Sequence, residues 1–195
     1  MTRETMPKKT KEALLDEYDH RCAVCGGDRP HVHHIDEDAS HNELMNLLPL
    51  CPNCHLRDQH NPTRKIEILK LQLFRRYKDP AILKPQFDPI YTRQLFLETV
   101  LLGEQPVDEL ESQAGELIEF VQALEMGEFY GKRLTELIGR LGRAFMMVLG
   151  DGPDPHYDEQ VRNYNRDYRQ KLITNREGAR ALLVELLRYQ GWANA

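Results

Sequence analysis

The chain has 195 residues, with 26 Lys and Arg against 31 Asp and Glu, a formal charge of −5, 41% apolar residues and 29% charged ones. That balance suits a folded chain of one or two modest domains and excludes a disordered polyelectrolyte. It also excludes a polycation, so any contact with nucleic acid has to come from a local basic surface.

The first residues, MTRETMPKKTKEALL, are charged and lack the apolar stretch of a secretion signal. No apolar run approaches the roughly 20 residues that cross a bilayer, so a membrane partner is not expected. The expected location is cytoplasmic, where cysteines are kept reduced and serve as metal ligands more often than as disulfides. Pro7 to Tyr18 reads as a helix with Ala13, Leu14, Leu15 and Tyr18 on an apolar stripe.

All four cysteines fall in two CxxC pairs, Cys22-Ala23-Val24-Cys25 and Cys51-Pro52-Asn53-Cys54. Two residues between thiolates let a tight turn aim both sulfurs at one ion, and two such turns complete a tetrahedral zinc site. A site with four sulfur ligands leaves no open position, so this zinc is expected to be structural. A thioredoxin-like role would use one pair beside a βαβ pattern, which the sequence lacks.

Zinc at these positions ties residues 22–25 to residues 51–54 and closes the intervening chain into a loop. Within that loop lies His31-Val32-His33-His34-Ile35-Asp36. Cys25-Gly26-Gly27-Asp28-Arg29-Pro30 is turn chemistry. His31 to Ile35 reads as a short strand, in which alternation sets His31 and His33 on one face and His34 on the other. Asp36 to Asn42 is a polar loop, and Leu47-Leu48-Pro49-Leu50 reads as the return strand, an edge because of its proline. Pro52 suits the first turn of a helix running to about His60.

The run CAVCGGDRPHVHHIDEDASHNELMNLLPLCPNCH, residues 22 to 55, resembles the HNH nucleases, the ββα-metal family of metal-dependent endonucleases, in their zinc-bearing branch. The resemblance is carried by the double histidine before Ile-Asp, Asn46 ahead of LLPLC, and Cys54-His55, with residues 47–54 between the asparagine and the last histidine. It implies that His33 and His55 hold a catalytic divalent ion, Mg²⁺ or Mn²⁺ or another such cation. It implies further that His34 is the general base and that Asn46 holds the base-bearing loop. The chemistry is coherent: a histidine near neutrality takes a proton from water, and a divalent cation stabilises charge on the phosphate. One imidazole lone pair cannot serve both tasks.

One position departs from the pattern. The branch often carries a further histidine four residues after the last one, and here that residue is Gln59, followed by His60. On an α-helix at about 100° per residue, a side chain five positions on is swung off the face of His55. The third ligand therefore stays open among His60, Asp58 and a water. His31 is read as a surface histidine, and Asp36 either fixes an imidazole or opens the polar loop.

Asn61-Pro62 reads as a helix start, and the following TRKIEILKLQLFRRYKD as an amphipathic helix. Its Arg64, Lys65, Lys70, Arg75 and Arg76 are the candidate nucleic-acid-binding residues, beside the alternative that they form a solvated helix face.

Beyond Asp79-Pro80 the pattern is helical. Pro89 and Pro106 look like helix starts, with Leu117, Val121 and Leu124 at helical spacing, then Leu134, Leu137, Ile138, Leu141, Phe145 and Met146 on the next helix. GDGPDP at 150–155 breaks the chain ahead of His156, and Thr174 with Glu177 forms a capping box before a last helix holding Leu182, Leu183, Leu186 and Leu187. VRNYNRDYRQK, residues 161–171, interleaves tyrosine with arginine, which suits base stacking or, more simply, Tyr164 and Tyr168 packed inward.

The expectation is an α+β protein with a zinc-stabilised ββα-metal module at residues 1–78 and an all-helical domain at residues 79–195. The expected activity is endonucleolytic hydrolysis of phosphodiester bonds, with DNA as the leading substrate and RNA not separated from it by sequence. The competing reading is a non-catalytic, zinc-stabilised nucleic-acid-binding or defence-system subunit, in which the helical half meets a protein partner.

Overall fold

The protein is described by a computed structural model covering residues 6–61, 63–142 and 157–193. Helices and one small two-stranded sheet make up these residues, a mixed α and β composition. The chain divides into two compact units, residues 1–85 and 86–195. Among the described residues no helix is long and apolar enough to cross a membrane.

The first unit begins with helix α1, Lys8–Glu17, which buries Leu14 completely. Strand β1, His31–His34, pairs antiparallel with β2, Leu47–Leu50, in the register His31 opposite Leu50 and His34 opposite Leu47. A 3₁₀ turn, Leu44–Asn46, feeds β2. From within the second CxxC pair the chain winds as a π-helix, Asn53–Gln59, preceded by Pro52 and including Cys54. Helix α2, Ile68–Tyr77, and a 3₁₀ turn at Pro80–Leu83 complete the unit. All of β2 is buried, and Ile35, Leu47, Leu48, Leu50, Leu71, Phe74 and Ile82 share the core with Leu14.

Two sequence expectations change here. Asn61 does not start α2. Its Oδ1 accepts from the Thr63 N–H at 3.0 Å and from Thr63 Oγ1 at 2.8 Å, which closes an Asx turn instead of a helix cap. The helix begins only at Ile68, so Arg64 and Lys65 lie on the connecting loop. Pro62 lies outside the described residues.

Arg75 is the second correction. It is 1% exposed, and its guanidinium makes a bidentate pair with Glu17, Nη1 to Oε1 at 2.9 Å and Nη2 to Oε2 at 2.6 Å. It also donates to Tyr18 Oη at 3.2 Å and to the Leu44 carbonyl at 3.2 Å. A cation so enclosed cannot reach a phosphate. It joins α1, α2 and the turn before β2, and so fixes the frame on which the histidine strand is carried.

In the second unit α3, Asp88–Gln94, α4, Phe96–Thr99, α5, Val107–Gln122, α6, Gly127–Ile138, and α7, Tyr157–Ala193, pack around Leu97, Leu110, Leu117, Val121, Leu134, Leu183 and Leu186. Pro89 sits in the first turn of α3, and Pro106 immediately precedes α5. Helix α6 stops at Ile138, short of Leu141. The carbonyls of Leu137, Ile138 and Gly139 accept from Asn175 Nδ2 at 2.9 Å, Tyr168 Oη at 2.9 Å and Lys171 Nζ at 2.7 Å. Side chains from α7 thus satisfy the helix end that further turns would otherwise satisfy. Phe145, Met146, the GDGPDP stretch and His156 lie outside the described residues.

Thr174 and Glu177 do not cap a helix, because α7 runs unbroken through both; Glu177 pairs with Arg180 at 2.9 Å. Tyr168 is fully buried and its ring stacks on that of Tyr164, with centroids 6.3 Å apart and planes at 6°. The tyrosines of the 161–171 segment are packing residues, and Tyr168 is closed to a nucleic acid base.

Candidate metal and catalytic centre

The two cysteine turns are built by the backbone. The Cys22 N–H donates to Gly27 O at 2.8 Å and the Gly26 N–H to Cys22 O at 2.9 Å, with Gly26 at a φ of 70°, which glycine adopts without strain. A Cβ on Gly27 would stand 3.3 Å from Cys25 Sγ, so the absent side chain lets the sulfurs close in. Ala23 N–H donates to Pro49 O at 2.8 Å and ties the first turn to β2, while His55 N–H donates to Cys51 O at 2.8 Å and shapes the second.

The sulfurs of Cys22, Cys25, Cys51 and Cys54 all lie within 4.8 Å of one another. Cys25 Sγ is 3.6 Å from both Cys51 Sγ and Cys54 Sγ. A tetrahedron with zinc–sulfur bonds of about 2.3 Å has edges of about 3.8 Å, whereas a disulfide needs about 2.05 Å. The Cys54 backbone N–H helps to hold the Cys51 thiol down at about 7, while burial pushes Cys54 up. Four sulfurs this close can all ionise only around a cation. The set is placed to hold zinc.

A second group gathers at His55. The His33 ring stands edge-on to it with centroids 5.3 Å apart, and the His60 ring does the same at 5.0 Å. The His31 ring lies parallel to it at 6.3 Å. The π-helical winding is what brings His60 in: its turn closes i to i+5, so a residue five positions on returns to the same face. Gln59 is buried and turned elsewhere, its Oε1 accepting from the Ile66 N–H at 2.8 Å where the chain bends toward α2. Asp58 is engaged by Arg57 at 3.1 Å and Arg64 at 3.6 Å.

His33 is 8% exposed, and burial, reinforced by His55 and His60 nearby, lowers its pKa to about 4. Burial and the neighbouring His60 and His31 lower His55 as well. Both are neutral at pH 7, the form that binds a metal ion. The rings of His33 on β1, His55 on the π-helix and His60 at its C-cap thus share one neighbourhood, and imidazole nitrogen is a donor that transition ions favour.

His34 faces away from this group. It is half-buried, and its Nε2 lies 3.2 Å from Asn42 Oδ1. Asn46 is not hydrogen-bonded to the ring. Its Nδ2 donates to Asp36 Oδ1 at 2.8 Å and to His41 O at 3.0 Å, and its Oδ1 accepts from the Asp36 N–H at 3.1 Å. Asp36 also meets His41 Nδ1 at 2.5 Å; its carboxyl is held down at about 2 by Asn46, His41 and the Asp38 N–H, against the opposing effect of desolvation. Asn46 therefore pins both ends of the 36–41 loop.

Sequence reading missed Asn42, His41 and Glu37. Glu37 follows this bend at a φ of 66°, pairs with Lys65, and faces His33 and His60 electrostatically. Nothing in their spacing marks them, since their partners are reached through loop turns. Among the candidate phosphate contacts, Arg64 and Lys65 are exposed and paired with Asp58 and Glu37, Arg76 is exposed on α2, and Lys70 is half-buried there.

Comparison with known protein families, with curated proteins and with solved structures returns no match.

Proposed function

We propose that the first unit is a metal-dependent endonuclease, hydrolysing phosphodiester bonds in DNA, with a structural zinc on Cys22, Cys25, Cys51 and Cys54. The observation that carries this reading is the opposed placement of two adjacent imidazoles. His33 meets His55 within 5.3 Å, while His34 meets Asn42 on the other side. One side gathers ligands and the other offers a base, the division of labour that the resemblance to HNH nucleases implies.

In this reading His33, His55 and His60 hold the ion, and Asp58, tied to two arginines, does not. The bound ion supplies charge stabilisation at the scissile phosphate. His34 takes a proton from water as its oxygen attacks phosphorus; the bond from phosphorus to the 3′ oxygen breaks, and that oxygen takes up a proton from solvent. Base catalysis of this kind contributes about 10²–10⁴-fold. Asn46 holds the loop, and Arg64, Lys65, Lys70 and Arg76 are the candidate contacts to the phosphate backbone.

Nicking of supercoiled plasmid tests the reading, run with Mg²⁺, Mn²⁺, Ni²⁺ and Zn²⁺ in turn. The expected result is cleavage that His34→Ala abolishes while DNA binding persists. Binding without cleavage under every ion would establish the non-catalytic module in its place.

A further inference from the structure

We infer that Asn42 is a positioning residue for His34, setting the tautomer in which Nε2 carries the proton and Nδ1 presents the lone pair. This rests on the nuclease reading for its consequence in catalysis, though not for its geometry. Asn42 Oδ1 lies 3.2 Å from His34 Nε2. The amide cannot be turned the other way, because Asn42 Nδ2 donates to the Ser40 carbonyl at 3.3 Å. A reversed amide would set its oxygen against that carbonyl and an N–H against the imidazole. With an oxygen facing it, Nε2 has to be the donor, and neutral histidine carries a single ring proton.

The loop gives Asn42 its aim. Asp38 Oδ1 accepts from the Ser40 N–H at 2.9 Å and from Ser40 Oγ at 2.6 Å, and the Asn42 N–H donates to Ser40 O at 3.1 Å. Asp36 accepts the Asp38 N–H at 2.9 Å and is itself held by Asn46. A continuous run of short polar turns thus links Asn46, which is not hydrogen-bonded to the imidazole, to Asn42, which is. The water to be activated belongs on the Nδ1 side of the ring.

Long-range ¹H–¹⁵N correlation spectra of the full-length chain, taken above about pH 8 where histidines are neutral, read the tautomer directly. The expected result is an Nε2–H tautomer at His34, retained in Asn42→Asp, which keeps an oxygen acceptor, and giving way to a mixture in Asn42→Ala. In plasmid cleavage Asn42→Ala should lose about tenfold in kcat with KM for DNA unchanged, and Asn42→Asp should recover most of it. A proton on Nδ1 in the parent chain, or a tautomer indifferent to Asn42→Ala, overturns the inference. A parent chain that shows the Nε2–H tautomer yet cuts nothing overturns the nuclease reading alone.

Discussion

His60 stands five residues after His55, and their rings meet edge to face with centroids 5.0 Å apart. On an α-helix they would diverge, and only the π-helical turn between them makes them neighbours. If the two share an ion, His60→Ala should weaken binding of Mn²⁺ or Ni²⁺ by at least about tenfold in calorimetric titration. Gln59→Ala should leave that affinity nearly unchanged and lower stability instead, since Gln59 accepts from the Ile66 N–H. Equal affinity in the parent chain and His60→Ala would remove His60 from the ligand set.

Zinc content is the second expectation. Cys22 and Cys51 are buried and the four sulfurs converge, so the purified chain should carry one tightly held zinc by elemental analysis. Cys51→Ser should lower that content and the unfolding temperature together. Chelation of the parent chain should do the same, because binding free energy at a structural site is folding free energy. A chain that melts unchanged without zinc would contradict this.

The pair of Glu17 with Arg75 sets a pH dependence. Hydrogen bonds from Arg75 hold the Glu17 carboxyl at about 2, against an ordinary value of 4.5. A depressed pKa contributes stability that is complete above pH 4.5 and is lost as pH falls toward about 2. Urea denaturation should therefore find Glu17→Gln about 2–4 kcal/mol less stable at neutral pH, because it leaves Arg75 buried without its counter-ion. The gap between variant and parent should narrow steadily through the acid range. A constant gap would mean that the ion pair is not the source.

Tyr168 offers a test in the second unit. Its hydroxyl donates to the Ile138 carbonyl at the end of α6. Tyr168→Phe should cost about 1–3 kcal/mol in denaturant unfolding, the range for a buried acceptor left unpaired. DNA affinity should not move, since the ring is buried.

Much of the candidate site was legible because its parts are local. Two CxxC pairs announce a tetrathiolate site, and alternation along HVHHID is enough to separate His33 from His34. The π-helix was not legible, because reading residues 53–59 at the α-helical period assigns His60 to the wrong face. Arg75 was misread for a related reason: charge along a helix suggests solvent, and Glu17, its partner on α1, is remote in sequence. Leu141 continues the apolar spacing of α6, yet the helix ends earlier because α7 supplies the caps. Thr174 and Glu177 match a start signal in a stretch where no break exists. In each of these cases tertiary partners outweighed a local pattern.

The register of the small sheet carries a consequence of its own. His33 faces Leu48 and His34 faces Leu47 across two strands of four residues. A slip by one residue would send each imidazole to the opposite side, His34 toward His55 and His33 toward Asn42. So short a ribbon cannot guard its own alignment. That duty falls on two bonds near its ends, Ala23 N–H to Pro49 O and Ile35 N–H to Asn46 O, each 2.8 Å. The cysteine turn and the asparagine loop thereby act as bookends, deciding which of two chemically identical rings meets His55 and which meets Asn42.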